Sequence, residues 1–413
     1  MDVRRAVFAA APAVREHRDM RKGTPEYRRA TIAMLFVGLA VFSSLYATQA
    51  LLPTLTIELG ITPSEAAWTV SAATGSLAIC VVPASILSEK FGRGRVLVIS
   101  AVAATAVGLL LPLTQSIEQM VLLRTLQGAL LAGTPAVAMT WLSEELDERD
   151  LPGAMGLYIA GNTVGGIMGR IVPAFVLEVA SWRWALAVGT MVSFAMAVAT
   201  WVLLPEQRNF HAKDTIRPAA EFRAVAGHLR NPRLVALAVT AFLGMGVFVS
   251  MYNFFGFRAV NDFGLPPSLA GLAFLMYLSG TWSSARAGSF VKRFGRGRVV
   301  LAGAALMLVG ALIGASPNLW ATLFGLLVFT ASFFAMHSTA SGWVGQIAER
   351  DRAEASSLYV FSYYMGSSIL GAATGRAFEA LSWGGFVGVL AALLAALTVI
   401  TGWLAVTEKR RQA

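Results

Sequence analysis

Twelve runs of mostly apolar residues lie along the chain, at about 31–56, 66–88, 96–114, 119–142, 153–177, 184–204, 234–257, 269–290, 299–316, 319–344, 355–377 and 385–406. Each approaches or exceeds the roughly 20 residues that a membrane-crossing helix needs. Short polar gaps separate them, except for the long polar stretch 205–233 between the sixth and the seventh. The pattern predicts an all-α membrane protein with 12 transmembrane helices in two pseudo-symmetric six-helix bundles. Residues 1–29 form an N-terminal tail, 30–204 the first bundle, 205–233 a linker, 234–406 the second bundle and 407–413 a short tail. The first run is longer than a secretory apolar core and lacks a small-residue cleavage site, so it reads as a span and not as a cleaved leader.

The gaps carry a repeat. FGRGRV occurs at 91–96 and again at 294–299, each time closing a hairpin, between spans 2 and 3 and between spans 8 and 9. ERD, six residues and LY recur at 148–158 and 349–359; Gly165 matches Gly366, Glu178 matches Glu379, and Ser181–Trp182 matches Ser382–Trp383. Parallel six-helix repeats are a transporter architecture that holds substrate between the halves. Gly92 and Gly295 stand where a helix ends, a place that favours left-handed backbone.

Charge then orients the spans. Charged residues make up 14% of the chain, well below the roughly 25% of soluble proteins. With the N-terminus in the cytoplasm, 27 of the 33 Lys/Arg fall in tails and loops on that side, as the positive-inside rule requires. Both termini are therefore expected in the cytoplasm, with basic flanks facing membrane lipid. The net charge of +10 is thus a matter of topology, and nucleic acid is not an expected partner. Cys80 is the single cysteine, which excludes an intrachain disulfide. The sequence shows no metal-ligand cluster, catalytic triad or phosphate-binding G-x-x-x-x-G-K-[S/T]. No enzyme activity, cofactor or metal is expected.

The segment SILSEKFGRGRVLV (85–98) resembles the loop 2–3 signature of the major facilitator superfamily, roughly G-x-L-(A/S)-D-R-x-G-R-(R/K). Leu87, Ser88, Lys90, Gly92 and Arg93 fit; Ser85, Glu89 and Gly94 depart from it. MTWLSEEL, GLYIAGNTVGGIMGR, GTWSSARAG, FFAMHS and ASSLYVFSYYMGSSI look similar to YnfM-type bacterial inner-membrane transporters, near the arabinose-efflux-like and drug:proton antiporter branches. The resemblance spans essentially the whole chain. It implies a monomer in the bacterial inner membrane. It also implies a gate in which Glu89 latches the cytoplasmic ends, with Arg149 as a cationic partner. Lys90, Gly92 and Arg93 belong to that gate, and Gly295 and Arg296 to its second copy, where Lys292 replaces the carboxylate.

Charges at membrane depth are costly and point to function. Arg124 with Gln127 and Gly128 resembles the family's R-x-x-Q-G motif of span 4, associated there with proton coupling; backbone packing is the alternative. Gly161, Gly165 and Gly169 partly match an antiporter motif in span 5, and equally suit close helix packing. Arg170 ends that stretch, as a cavity residue or an outer-gate cation. His337 in span 10 is suited to carrying a proton or binding substrate, or to bonding a neighbouring carbonyl. Glu178 and Glu379 are further protonatable candidates at matched outer ends.

Tyr46, Gln49, Gln127, Asn162 and Arg170 from the first half, with Tyr252, Asn253, Trp282, His337 and Tyr363 from the second, make up the expected substrate cavity. An apolar pocket with a few orienting polar groups suits a small amphipathic molecule. Span 1 has no carboxylate, which disfavours a dedicated cation exporter. The expected function is proton-coupled export of such a solute by alternating access, with the proton gradient as energy source. The alternative is proton-independent facilitation or uptake of a neutral or anionic metabolite.

Overall fold

A computed structural model of the chain describes residues 20–210, 223, 225–348 and 350–412. The first 19 residues of the predicted tail, the middle of the predicted linker, Glu349 of the second ERD and Ala413 lie outside the described residues. Among the described residues, twelve long helical rods follow one another at the expected positions. They are α1 Pro25–Leu59, α2 Pro63–Phe91, α3 Arg93–Leu113, α4 Ile117–Glu145, α5 Leu151–Val176, α6 Trp182–Leu203 and α7 Pro232–Asn261. The remainder are α8 at 267–294, α9 Arg296–Gly314, α10 Leu319–Ile347, α11 Arg352–Ala380 and α12 Trp383–Gln412. Ten of these are long and apolar enough to cross a membrane; α8 and α11 are the more polar two.

Helix starts follow local chemistry. Thr62 and Glu65 form a reciprocal capping box ahead of Pro63, and Asn231 and Asn318 cap α7 and α10 through their side chains. Each satisfies an N–H that the first turn leaves unpaired. α1 is interrupted after Leu45, passing through the short 3₁₀ turn Gln49–Leu51 before resuming at Leu52. That break exposes carbonyl groups at the depth where the buried arginines lie.

The repeat is three-dimensional. α1 packs on α5 and α6 as α7 packs on α11 and α12; α2 meets α4 as α8 meets α10; α3 meets α4 and α6 as α9 meets α10 and α12. Glycine makes the α1–α5 and α7–α11 pairs possible. A Cβ on Gly165 would lie 2.6 Å from the Leu39 carbonyl oxygen, and one on its repeat mate Gly366 would overlap that of Phe242. The span 5 glycines are thus a close-packing stripe.

The halves meet along α2–α11, α5–α8 and α1–α7. Both of the more polar rods, α8 and α11, lie on this seam. Large apolar side chains such as Ile99, Trp201, Leu306, Trp320 and Val399 are exposed on the outer wall, as the lipid face of a multi-pass membrane protein requires.

Candidate functional site

The seam is built around Arg170. Its side chain is 1% exposed and sits on α5 one helical turn beyond Gly166, whose carbonyl it bonds at 2.5 Å. Nε donates to Gln49 Oε1 at 2.6 Å, and Nη2 donates across the seam to the Tyr277 hydroxyl at 3.3 Å. Gln49 in turn donates to Asn253 Oδ1 at 2.7 Å. The guanidinium lies 3.9 Å from the Tyr46 ring centre and 4.9 Å from those of Phe274 and Tyr277. None of the ion pairs among the described residues includes Arg170. Its three neutral acceptors leave two guanidinium N–H groups without an assigned partner.

Arg124 is wholly buried and performs a different task. Nε donates to the Thr69 carbonyl at 2.7 Å, Nη1 to the Ser44 carbonyl at 2.8 Å and to Gln127 Oε1 at 2.6 Å, and Nη2 to the Leu45 carbonyl. Gln127 completes the cluster by donating to Ser44 Oγ at 2.7 Å. Ser44 and Leu45 end the first segment of α1, where helix carbonyls lose their intrahelical partners. Arg124 is the clamp that satisfies them.

From Tyr277 an aromatic wall runs through the second bundle. Phe248 packs on Tyr252, Phe329 and Phe333, and Phe333 stacks on His337. His337 faces Tyr363 with centroids 4.7 Å apart, and its Nδ1 lies 3.0 Å from the Tyr359 hydroxyl. Asn253 Nδ2 and Ser71 Oγ are buried without a partner, and both flank Gly371.

Three expected cavity residues lie elsewhere, Gln127 being one, in the Arg124 cluster within the first bundle. Trp282 is 57% exposed and faces away from Arg170, into a groove between α8, α9 and α10. Helical spacing explains this: Trp282 is five residues beyond Tyr277, about 140° around the helix. Asn162 abuts Gly38 of α1 within the first bundle, where a Cβ on Gly38 would lie 2.6 Å from Asn162 Oδ1.

Glu178 and Glu379 are latches between the halves. Ser268 N–H, in the first turn of α8, donates to Glu178 Oε1 at 2.9 Å; Ser64 N–H, in the first turn of α2, donates to Glu379 Oε1 at 2.7 Å. Each carboxylate thus caps a helix of the opposite bundle, in the charge sense that the helix dipole favours. The Ser268 amide holds the Glu178 carboxyl below its ordinary value of 4.5. A group lowered in the closed state stabilises that state above its ordinary value, and this contribution fades as pH falls through the lowered one. Glu178 therefore stays ionised near neutral pH, which suits a latch better than a proton carrier. Spin labels at the exposed Ile57 and Leu269, in a Cys80→Ser background, read this end. Glu178→Gln with Glu379→Gln is expected to enlarge the long-distance population several-fold and to remove its growth below pH 4.5. Unchanged distances at every pH would sink the latch assignment.

At the other, basic end, the hexapeptides are tied down twice over. Gly92 and Gly295 have φ of 98° and 84°, conformations that disfavour a side chain. Gly94 N–H donates to Gln207 Oε1 at 2.8 Å and Gly297 N–H donates to Glu408 Oε2 at 2.6 Å. Gln207 and Glu408 follow α6 and end α12, 201 residues apart, which is the repeat spacing already seen at Gly165 and Gly366. Sequence reasoning missed this pair although the spacing could have revealed it. Gly94 departs from the basic residue of the family pattern because a Cβ there would meet Trp141 Nε1 at 3.1 Å.

Arg93 pairs with Glu144 at 2.6 Å and reaches Ser88 Oγ at 3.3 Å; Glu144 was another carboxylate the sequence did not single out. Lys90 lies over the Phe91 ring, and Arg149 N–H bonds Asp147 Oδ1 at 3.0 Å. The start of the predicted linker is docked on the first bundle, with Arg208 and Asn209 N–H on the Glu145 carboxylate at 2.9 and 3.0 Å. Every inter-half hydrogen bond named above lies at the midplane or toward the Glu178–Glu379 end.

The Major Facilitator Superfamily description matches residues 34–286 and 259–413. The chain is 39% identical over 384 residues to the inner membrane transport protein YnfM of Escherichia coli (strain K12), covering 93% of this chain and 92% of that one. It is 34% identical over 391 residues to the uncharacterized MFS-type transporter YybF of Bacillus subtilis (strain 168), covering 94% and 96%. Among solved structures, a bacterial homologue of the human lysosomal transporter Spinster, inward-facing and occupied, is similar with a TM-score of 0.71 at 14% identity, covering 93% and 97%. The nucleoside transporter NupG is similar with a TM-score of 0.69 at 15% identity, covering 90% and 98%.

Proposed function

The chain belongs to the Major Facilitator Superfamily of membrane transporters, and from that premise we propose that it exports a small amphipathic solute, neutral or anionic, in exchange for protons. The observation that carries this reading is Arg170, a buried cation in an aromatic cage, bonded only to neutral groups and bridging both bundles. An uncompensated charge at this depth costs several kcal/mol, and a solute carboxylate would offset it. The aromatic wall from Phe248 to Tyr363 offers the apolar body of such a solute a surface of rings. With the basic loops in the cytoplasm, as the positive-inside rule directs, the Glu178 and Glu379 latches close the outer end and the seam opens inward.

His337 is the proposed proton carrier, since its imidazole lies beside the wall, faces Tyr363 and has Nδ1 3.0 Å from the Tyr359 hydroxyl. Release outward requires the latches to part. The Glu89 carboxylate and the Arg149 side chain then hold the opposite end. A second reading, a proton-independent facilitator, is favoured by one fact: the Arg170 cluster itself contains no carboxyl group.

Purified protein in liposomes with an internal pH dye separates the two. Aromatic anions, sugars and lipophilic cations are offered under an imposed proton gradient. The expected result is gradient collapse with the aromatic anions, abolished by His337→Ala while labelled-solute exchange continues. Solute exchange by the wild type without proton movement would establish the facilitator instead.

A further inference from the structure

Next to the second hexapeptide lies a slot of about 430 Å³ between α8, α9 and α10. Its walls are Phe290, Phe294, Val299, Ala302 and Leu306, and its floor includes Ala331 of α10. Ser283 Oγ, also in the lining, is already spent on the Ala331 carbonyl at 2.7 Å. Water in so apolar a slot would lack the two to four partners it needs. From Arg298 at the mouth to Leu306 at the far end is eight helical residues, about 12 Å.

The slot opens on the lipid face. Trp282 and Leu306 on its rim are exposed, and Phe333 and Phe334 of α10 form part of the aromatic wall on the seam side. Its mouth is cationic: Arg298 is exposed and belongs to none of the ion pairs among the described residues. Lys292, Arg293 and Arg296 stand in the adjoining turn.

The matching turn of the first half borders a differently built groove, with Phe91, Arg95 and Ile99 in its lining. That groove lies against the end of α6 and is lined also by Trp201, Leu204 and Gln207. At the position of Ala302, 203 residues earlier, stands Ile99. The two grooves thus differ in lining, and the apolar one between three helices lies in the second half.

We propose that this slot is a specific site for an anionic phospholipid, with one acyl chain between α8 and α9 and the phosphate on Arg298. An apolar channel about 12 Å long, most of the roughly 15 Å of one leaflet's hydrocarbon, opening sideways to the bilayer, with at its mouth a guanidinium that has no ion-pair partner among the described residues, matches that ligand in both parts. The site rests on the slot and its charge, independently of the solute carried along the seam.

Native mass spectrometry of the detergent-purified full chain tests it, using phosphatidylglycerol and phosphatidylcholine with identical chains. The wild type is expected to retain one phosphatidylglycerol about 5-fold more tightly than phosphatidylcholine, the weight of roughly one cation near an anionic headgroup. Arg298→Ala removes that preference, and Arg298→Lys largely keeps it. Ala302→Phe, at an exposed position, fills the slot and weakens retention of both lipids. Arg95→Ala, the matching change in the first half, leaves the preference intact. Equal retention of the two lipids by the wild type, or an equal loss in Arg95→Ala and Arg298→Ala, overturns the assignment.

Discussion

Replacing Arg124 by alanine is expected to destabilise the first bundle by several kcal/mol and to lower its thermal midpoint by about 10 °C or more. The Leu45 carbonyl would lose its side-chain donor, and the Thr69 and Ser44 carbonyls would each lose a charged second donor while keeping a backbone N–H, that of Ala47 on Ser44 at 3.4 Å. Each buried acceptor left unpaired costs about 1–3 kcal/mol, against a typical domain stability of about 5–15 kcal/mol. Gln127 Oε1 would also lose the Arg124 donor, while its Nε2 keeps the bond to Ser44 Oγ. Lysine at this position supplies a charge but not the planar fork that reaches α1 and α2 together, so it rescues only in part. Melting followed by intrinsic fluorescence in detergent measures this. If Arg124→Ala melts like the wild type yet abolishes proton flux, the arginine is a coupling group and the clamp assignment fails.

Arg170→Ala is expected to abolish transport of an anionic solute, weakening its binding by about 100-fold. That factor corresponds to a charge-assisted hydrogen-bonded contact of about 1.5–3 kcal/mol together with loss of the orienting cage. The same change removes the bond to Tyr277 and the support of Gln49, so the outer end should open more often. Arg170→Lys keeps the charge but loses the stacked plane against Tyr46 and the bidentate fork. It should therefore recover little. Binding measured by scintillation proximity, with a neutral analogue of the solute alongside, distinguishes the parts. Equal weakening for the anionic and the neutral ligand would show that Arg170 holds the gate without reading solute charge.

The twelve runs were legible because lipid permits little but self-bonded helices, so hydropathy maps directly onto the rods. The repeat was legible because duplicated packing needs the same small residue at the same place, as at Gly165 and Gly366. Contacts that cross the seam were less so. Glu178 and Glu379 read as protonatable candidates at matched outer ends, and only the approach of α8 and α2 turns them into caps. Gln207 and Glu408 carry no motif, being ordinary polar residues until the ends of α6 and α12 come to lie against Gly94 and Gly297. Trp282 was placed in the cavity by its depth alone, whereas its azimuth on α8 turns it outward.

The sequence by itself determined the membrane class and the two similar halves. Each of these follows from periodicity and from the cost of leaving polar groups in lipid, which act locally along the chain. The tertiary structure decided which of two buried arginines clamps a broken helix and which bridges the bundles. It also decided which carboxylates latch and which face of α8 meets the bilayer. Those outcomes depend on rotation and offset between helices far apart in sequence, and hydropathy carries no record of either.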